Sequence, residues 1–173
     1  MKRIITLTVQ DRSGVLNRVT GLLQRRQFNI ESISVGRTET EGISKMTLVV
    51  EVEDEQRLEQ VTKQLNKQID VLKVSDITEK AIVVRELALI KVASSSQLRT
   101  EIHGIIDPFR ADIIDVSKDS LAVQITGKPE KIDALIELLR PFGIKEIART
   151  GLTAFLRGYQ PQVNDFATYS LSK

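Results

Sequence analysis

The chain contains no cysteine, no tryptophan and a single histidine, His103. The first absence excludes disulfides, thiolate metal ligands and cysteine catalysis together. One histidine, with no His-x-x-x-His pair and no clustered carboxylate motif, supplies no set of three or four metal ligands. His103 lies in an apolar stripe beside Ile102 and Ile105 and reads as a helix-boundary residue rather than a base. Glycine is scarce, 9 of 173 residues, and forms no Gly-x-Gly-x-x-Gly run, no phosphate loop ending in Gly-Lys-Ser and no Gly-x-Ser-x-Gly elbow. Aromatic residues are only 4%, and 25 Lys and Arg against 23 Asp and Glu leave a net charge of +2. Nucleic-acid binders carry a basic stripe and stacking platforms. Here Arg25-Arg26 is the densest basic spot beyond the N-terminus, so no nucleic-acid partner is expected. No apolar run reaches the ~18 residues of a membrane span. Asp11 and Arg12 interrupt the apolar start, and no small-residue cleavage site follows. The expectation is a cytoplasmic protein with no membrane partner and little catalytic equipment of its own.

What is present is an ordinary globular balance, 41% hydrophobic and 28% charged, at a length that suits one domain or two small ones. Ile4, Ile5, Leu7 and Val9 predict a strand. Asp11-Arg12-Ser13-Gly14 breaks it, with Ser13 as the expected N-cap of a helix carrying Val15, Leu16, Val19, Leu22 and Leu23. Ile30, Ile33 and Val35 predict a second strand. Glu39-Thr40-Glu41-Gly42 reads as a hairpin turn, and Met46, Leu48, Val50 and Val52 as the strand after it. Asp54 can cap a second helix with Leu58, Val61 and Leu65 on one face. Val71, Val74 and Ile77 mark a short strand near 70–77.

The same order then recurs. Val83, Leu87, Leu89, Ile90 and Val92 predict a strand, and Ser94 with Gln97 a capping box. Leu98, Ile102, Ile105 and Ile106 form a helical stripe. Ile113, Ile114 and Val116, a Lys118-Asp119-Ser120 turn, and Leu121, Val123 and Ile125 predict a hairpin. Pro129 suits the first turn of a helix with Ile132, Leu135, Ile136 and Leu139. Pro141 and Gly143 end it, and Ile144 and Ile147 mark a last strand. Phe28 and Phe109 fall at comparable points of the two halves. The fold class is therefore α+β, with two ferredoxin-like βαββαβ domains over 1–78 and 79–158 joined at 75–81. Both helices of such a unit lie on one face of its sheet, so the other face needs covering by a partner. After Leu152 the periodicity fades, an arm is expected around Arg157, and 159–173 is expected as a flexible tail.

One turn suggests a ligand. Asp11-Arg12-Ser13-Gly14 joins a strand to a helix, and a helix start presents unpaired N–H groups that favour an anion. Gly14 lets a ligand approach the backbone closely. The Asp11 carboxylate can accept hydrogen bonds from an ammonium group, and Asn29 can add a polar contact. This set suits the backbone end of an α-amino acid. An ordinary capped turn, with Asp11 facing water and Asn29 supporting a turn, is the alternative.

The run Ile4-Ile5-Thr6-Leu7-Thr8-Val9-Gln10-Asp11-Arg12-Ser13-Gly14-Val15-Leu16 resembles the opening of an ACT domain. Phe28-Asn29-Ile30-Glu31-Ser32-Ile33 is similar to the Tyr/Phe-Asn-Ile-Glu-Ser-Leu stretch of the small, regulatory subunits of acetohydroxyacid (acetolactate) synthase. Ser44-Lys45-Met46-Thr47 resembles that family's Ser-Arg-Met-Thr strand. Residues 64–74, 84–92, 109–116 and 148–151 resemble further blocks of it, in order. The resemblance covers about residues 1–158. It implies a subunit with no active site and no cofactor of its own; thiamine diphosphate, Mg²⁺ and FAD are expected only in the catalytic large subunit. It implies activation of that subunit and feedback inhibition by valine or another branched-chain amino acid, in the cytoplasm, or the plastid stroma of a photosynthetic eukaryote. It further implies a homodimer through edge-to-edge ACT domains. The effector would be held by Asp11, Ser13, Gly14, Val15 and Leu16 of one copy and Asn29 and Ile30 of the other. The family often has Asn where this chain has Asp11. A free-standing ACT-type amino-acid sensor for another enzyme or a transcription factor is the alternative.

Overall fold

The computed structural model describes residues 1–158; the tail expected over 159–173 lies outside the described residues. The first half runs β1 (Lys2–Gln10), α1 (Val15–Arg25), β2 (Asn29–Arg37), β3 (Ile43–Glu51), α2 (Glu55–Asn66) and β4 (Val71–Asp76). Its antiparallel sheet has the order β2-β3-β1-β4. The second half runs β5 (Ile82–Ala93), α3 (Arg99–Ile106), β6 (Asp112–Val116), β7 (Ser120–Gly127), α4 (Pro129–Leu139) and β8 (Ile144–Arg149), in the equivalent order β6-β7-β5-β8. Among the described residues no helix is long and apolar enough to cross a membrane.

Strand alternation decides which side chains meet the helices. Ile5 lies opposite Leu48 and Leu7 opposite Met46, and these bury against Val19, Leu22 and Leu23 of α1 and Val61 and Leu65 of α2. In the second unit Ala88, Ile90 and Val92 meet Val123, Ile102, Ile132 and Leu135 in the same way. Phe28 and Phe109 each pack against the core of their own unit. Asp54 caps α2 as expected, its carboxylate accepting the Arg57 amide at 2.7 Å, and Pro129 opens α4.

Two expected caps are not formed. The cap position of α1 is Gly14, at φ +83°, and Ser13 makes no capping hydrogen bond. Helix α3 starts only at Arg99, with Leu98 at its cap; Ser94 is buried and donates its hydroxyl to the Ser95 carbonyl, so the Ser94/Gln97 box does not exist. The Ser94 hydroxyl is engaged by a neighbouring carbonyl, Ser13 is exposed, and each helix begins after the nearest serine.

The largest departure lies after Leu152. Thr153–Leu156 forms a further strand, β9, antiparallel to Ile82–Arg85. Strand β5 is therefore shared: its last eight residues belong to the C-terminal sheet, and its first four make a two-stranded ribbon with β9. The inward side of the ribbon carries Ile82, Val84, Ala154 and Leu156. These pack on Ile4, Val49 and Ile77, on the N-terminal sheet's side away from its helices. Part of the face expected to need a partner is thus covered by the chain itself. Arg3 pins the link between the halves, pairing with Glu79 at 2.7 Å and Glu55 at 3.3 Å, while Thr78 Oγ1 accepts the Ile4 amide.

Candidate functional site at the β1–α1 turn

The turn from β1 into α1 is held at both ends. The Asp11 amide donates to the Gly42 carbonyl at 2.7 Å, tying the turn to the β2–β3 hairpin. Gly14 takes a left-handed φ that side chains resist. A Cβ at Gly14 would stand 3.1 Å from Arg18 Nη1, so this glycine serves both its conformation and a close approach. The first amide bonded four residues back is that of Arg18, to the Gly14 carbonyl at 3.0 Å. The Leu16 and Asn17 amides precede that bond and are among those a helix start leaves without an intrahelical carbonyl.

Charge is arranged around this start. Asp11 is partly exposed and its carboxylate meets Arg37 Nε at 3.2 Å, at the far end of β2. Arg18, one turn into α1, pairs with Asp70, whose carboxylate is buried. Val15 is buried in the core, whereas Leu16 is 45% exposed beside the turn. Ser13 is exposed. Neither Arg18 nor Arg37 was among the residues expected at the site. The i, i+4 relation of Gly14 and Arg18 was readable in the chain, but Asp70 and Arg37 approach only through the sheet.

Asn29 and Ile30 lie elsewhere. Asn29 opens β2 and donates to Glu51 Oε2 at 3.3 Å. Strand β2 places Asn29 opposite Glu51 and Arg37 opposite Ser44. Eight residues of strand, about 26 Å at about 3.3 Å each, separate Asn29 from the end where Asp11 sits. Within one chain the turn residues and Asn29 do not form one site. Strand β2 is an edge of its sheet, and Val35 on it is 46% exposed.

A model of the small subunit of acetolactate synthase matches residues 85–158, and a model of the AHAS small subunit-like ACT domain matches residues 5–73. The acetolactate synthase small subunit of Bacillus subtilis is 66% identical over 171 residues, 99% of each chain. The chain belongs to the acetolactate synthase small-subunit family. The Mycolicibacterium smegmatis small subunit is 49% identical over 154 residues, covering 89% of this chain and 90% of its own. The crystal structure of the Thermotoga maritima small subunit matches with a TM-score of 0.83 at 38% identity, over 92% of this chain and 99% of that one.

Away from the turn, this small-subunit chain has a cleft of about 930 Å³ between the outer face of β2, the ribbon and the start of α4. Its floor holds a charge cluster. Arg149 grips the buried Glu86 carboxylate through two nitrogens, at 2.6 and 2.8 Å, and reaches Asp133 at 2.7 Å. These bonds, the one to Glu86 foremost, raise the Arg149 pKa above its ordinary value. Lys2, on the opposite wall, is likewise raised, mainly by its hydrogen bond to Glu31. These pairs stay within their own units, Arg149 with Glu86 and Asp133 in the C-terminal one and Lys2 with Glu31 in the N-terminal one, while Lys128 and Glu130 also line the cleft.

Proposed function

We propose that this chain is the non-catalytic regulatory subunit of an acetolactate synthase. It activates the catalytic subunit, which carries the thiamine diphosphate, Mg²⁺ and FAD in the cytoplasm, and confers inhibition by valine or a related branched-chain amino acid. Family membership supports the partner. The observation that carries the effector site is the position of its two parts at opposite ends of an unpaired edge strand. A two-fold axis through the middle of β2 pairs it antiparallel with β2 of a second copy. That operation sets Asn29 and Ile30 of one copy beside Arg37, and hence beside the Asp11–Leu16 turn, of the other. It makes two equivalent sites per dimer and also removes the free edge.

In this arrangement each part has a chemical task. The Leu16 and Asn17 amides and the positive end of α1 meet the effector's carboxylate. Asp11 accepts hydrogen bonds from its ammonium group. Arg37 offsets the repulsion Asp11 would exert on the carboxylate. Leu16 and Ile30 offer apolar surface to a branched side chain. An effector that prefers one geometry of the paired sheets shifts the subunit toward it by no more than that preference.

The test is acetolactate formation from pyruvate by the matching catalytic subunit, with and without this chain, across an L-valine titration. A rise in rate on adding the chain, reversed by valine, is the expected result. An unchanged rate with no complex formed refutes the assignment.

A further inference from the structure

The turn Thr150–Thr153 comes from the C-terminal unit but rests on β2. Gly151, at φ +78°, packs so closely that a Cβ there would lie 3.1 Å from Ser32 Cβ and 3.4 Å from the Ile33 carbonyl oxygen. Two residues on, Thr153 Oγ1 and Ser34 Oγ share a hydrogen bond of 3.0 Å. The turn thus touches three consecutive residues of the strand proposed to join two copies. It does so next to an irregularity. The ladder between β2 and β3 slips between Ile30 and Ser32, a bulge that sets Asn29 and Ile30 off from the regular strand.

The other side of the turn is fixed to the C-terminal sheet. Thr150 exchanges two hydrogen bonds with Leu87, amide to carbonyl at 3.0 Å and hydroxyl from the Leu87 amide at 3.1 Å. Arg149 lies opposite Ala88 and Thr153 opposite Arg85, so both ends of the turn are laddered onto β5. Strand β5 is interior to its sheet, flanked by β7 and β8. A shift of β2 at Ser32–Ser34 therefore meets a short, anchored lever on β5.

We propose that the Thr150–Thr153 turn is the contact through which the C-terminal unit reads effector occupancy at β2, with Gly151 as its positioning residue. This rests on the effector site proposed above. Binding at Asn29 and Ile30 biases the bulge, and the bulge sets where Ser32 and Ile33 press on Gly151. Any side chain at Gly151 holds the turn off the strand and separates the two units' responses.

The experiment compares the wild-type chain with Gly151→Ala, Thr153→Val and Ser34→Ala. Each is assembled with the catalytic subunit for L-valine inhibition, and each free chain is titrated with L-valine by calorimetry. The expected result for Gly151→Ala is an L-valine affinity within about threefold of wild type, the loss of one close contact, while the depth of inhibition falls below about half. Thr153→Val and Ser34→Ala each remove one hydrogen bond and shift the half-inhibitory concentration about twofold to tenfold. Because they share that bond, the double variant shifts no further than either single one. Full-depth inhibition in Gly151→Ala, or an unchanged half-inhibitory concentration in both hydroxyl variants, overturns the proposal. So does a parallel loss of L-valine binding and inhibition in Gly151→Ala, which would make the contact part of the pocket. Should Gly151→Ala fail to fold, the two hydroxyl variants decide alone. A wild-type chain that binds no L-valine removes the effector site itself, an outcome visible before any variant is compared.

Discussion

Replacing Gly14 with alanine tests the turn at its most constrained point. A side chain at φ +83° sits in the left-handed region, at a cost of about 1–2 kcal/mol. The new Cβ would stand 3.1 Å from Arg18 Nη1, tight enough to push the guanidinium by a few tenths of an ångström. Arg18 is partly exposed and can retreat, but it is the partner of Asp70, whose side chain is only 7% exposed. Weakening that pair leaves a desolvated carboxylate less well compensated, which adds a fraction of the penalty for a broken buried pair. A loss of about 1–3 kcal/mol in unfolding free energy follows, read as a lower urea midpoint at unchanged slope. Arg18→Met separates the two causes. If Gly14→Ala acts through Arg18, the double variant loses less than the sum of the singles. At the proposed effector site the same Cβ would stand where a carboxylate approaches the α1 amides, so the half-inhibitory valine concentration is expected to rise about tenfold or more, the worth of one charge-assisted hydrogen bond. Activation of the catalytic subunit stays at the wild-type level. A Gly14→Ala chain with the wild-type urea midpoint and valine curve would refute both halves of this reasoning.

Asp11→Asn removes an exposed ion pair with Arg37, so stability changes by no more than about 0.5 kcal/mol. The half-inhibitory valine concentration shifts without any change in activation, and superimposable dose–response curves would contradict it. Arg149→Ala strands the buried Glu86 carboxylate and lowers stability by about 2–4 kcal/mol, discounted for the partial exposure of Arg149. Adding Glu86→Gln removes the stranded charge and restores part of that loss in thermal melts; a double variant less stable than Arg149→Ala would count against it. Val35→Lys places a charge on the β2 edge, which a two-fold contact meets twice. Sedimentation is expected to show a folded monomer that valine no longer inhibits, whereas a valine-sensitive monomer would rule out a site split between copies.

The sheets were legible because their periods are clean. Ile5, Leu7 and Val9, and later Leu121, Val123 and Ile125, alternate into buried positions with few exceptions. The helical stripes were readable too, down to the Asp54 cap, except at Leu16 and Leu98, which are exposed, Leu98 standing at the cap of α3 rather than within it. Strand β9 was not. Four residues, Thr153 to Leu156, give two inward positions, too few for a period to stand out, and its partner is the start of a strand assigned wholly to another sheet. The serine caps failed for a related reason. A hydroxyl near a helix start is a permissive signal, and at α1 the geometry was settled by Gly14 instead. At the site, the turn was visible from Asp11 to Gly14, but Arg37 and Asp70 were not. They are 26 and 59 positions away from Asp11 in sequence, and only the pairing of β2 with β3 and of β1 with β4 brings them close.

The two units solve the same packing problem differently, and the difference bears on regulation. A four-stranded sheet with helices on one side leaves a face and an edge unsheltered. The N-terminal sheet has its outer face partly sealed by the β5–β9 ribbon, through Ile4, Val49 and Ile77. Its β2 edge stays free, flanked by the exposed Leu16 and Val35. A permanent intrachain seal on the face and a free, partly apolar edge make unequal demands. The face joins the two units through packing within one chain. In the proposed dimer the edge gains its backbone partners from a second copy, and an effector seated there would change the balance between pairings. With the amino-acid site on that edge, as proposed, and the Thr150–Thr153 turn directly behind the same strand, one small molecule would act on an element that the rest of the chain already grips.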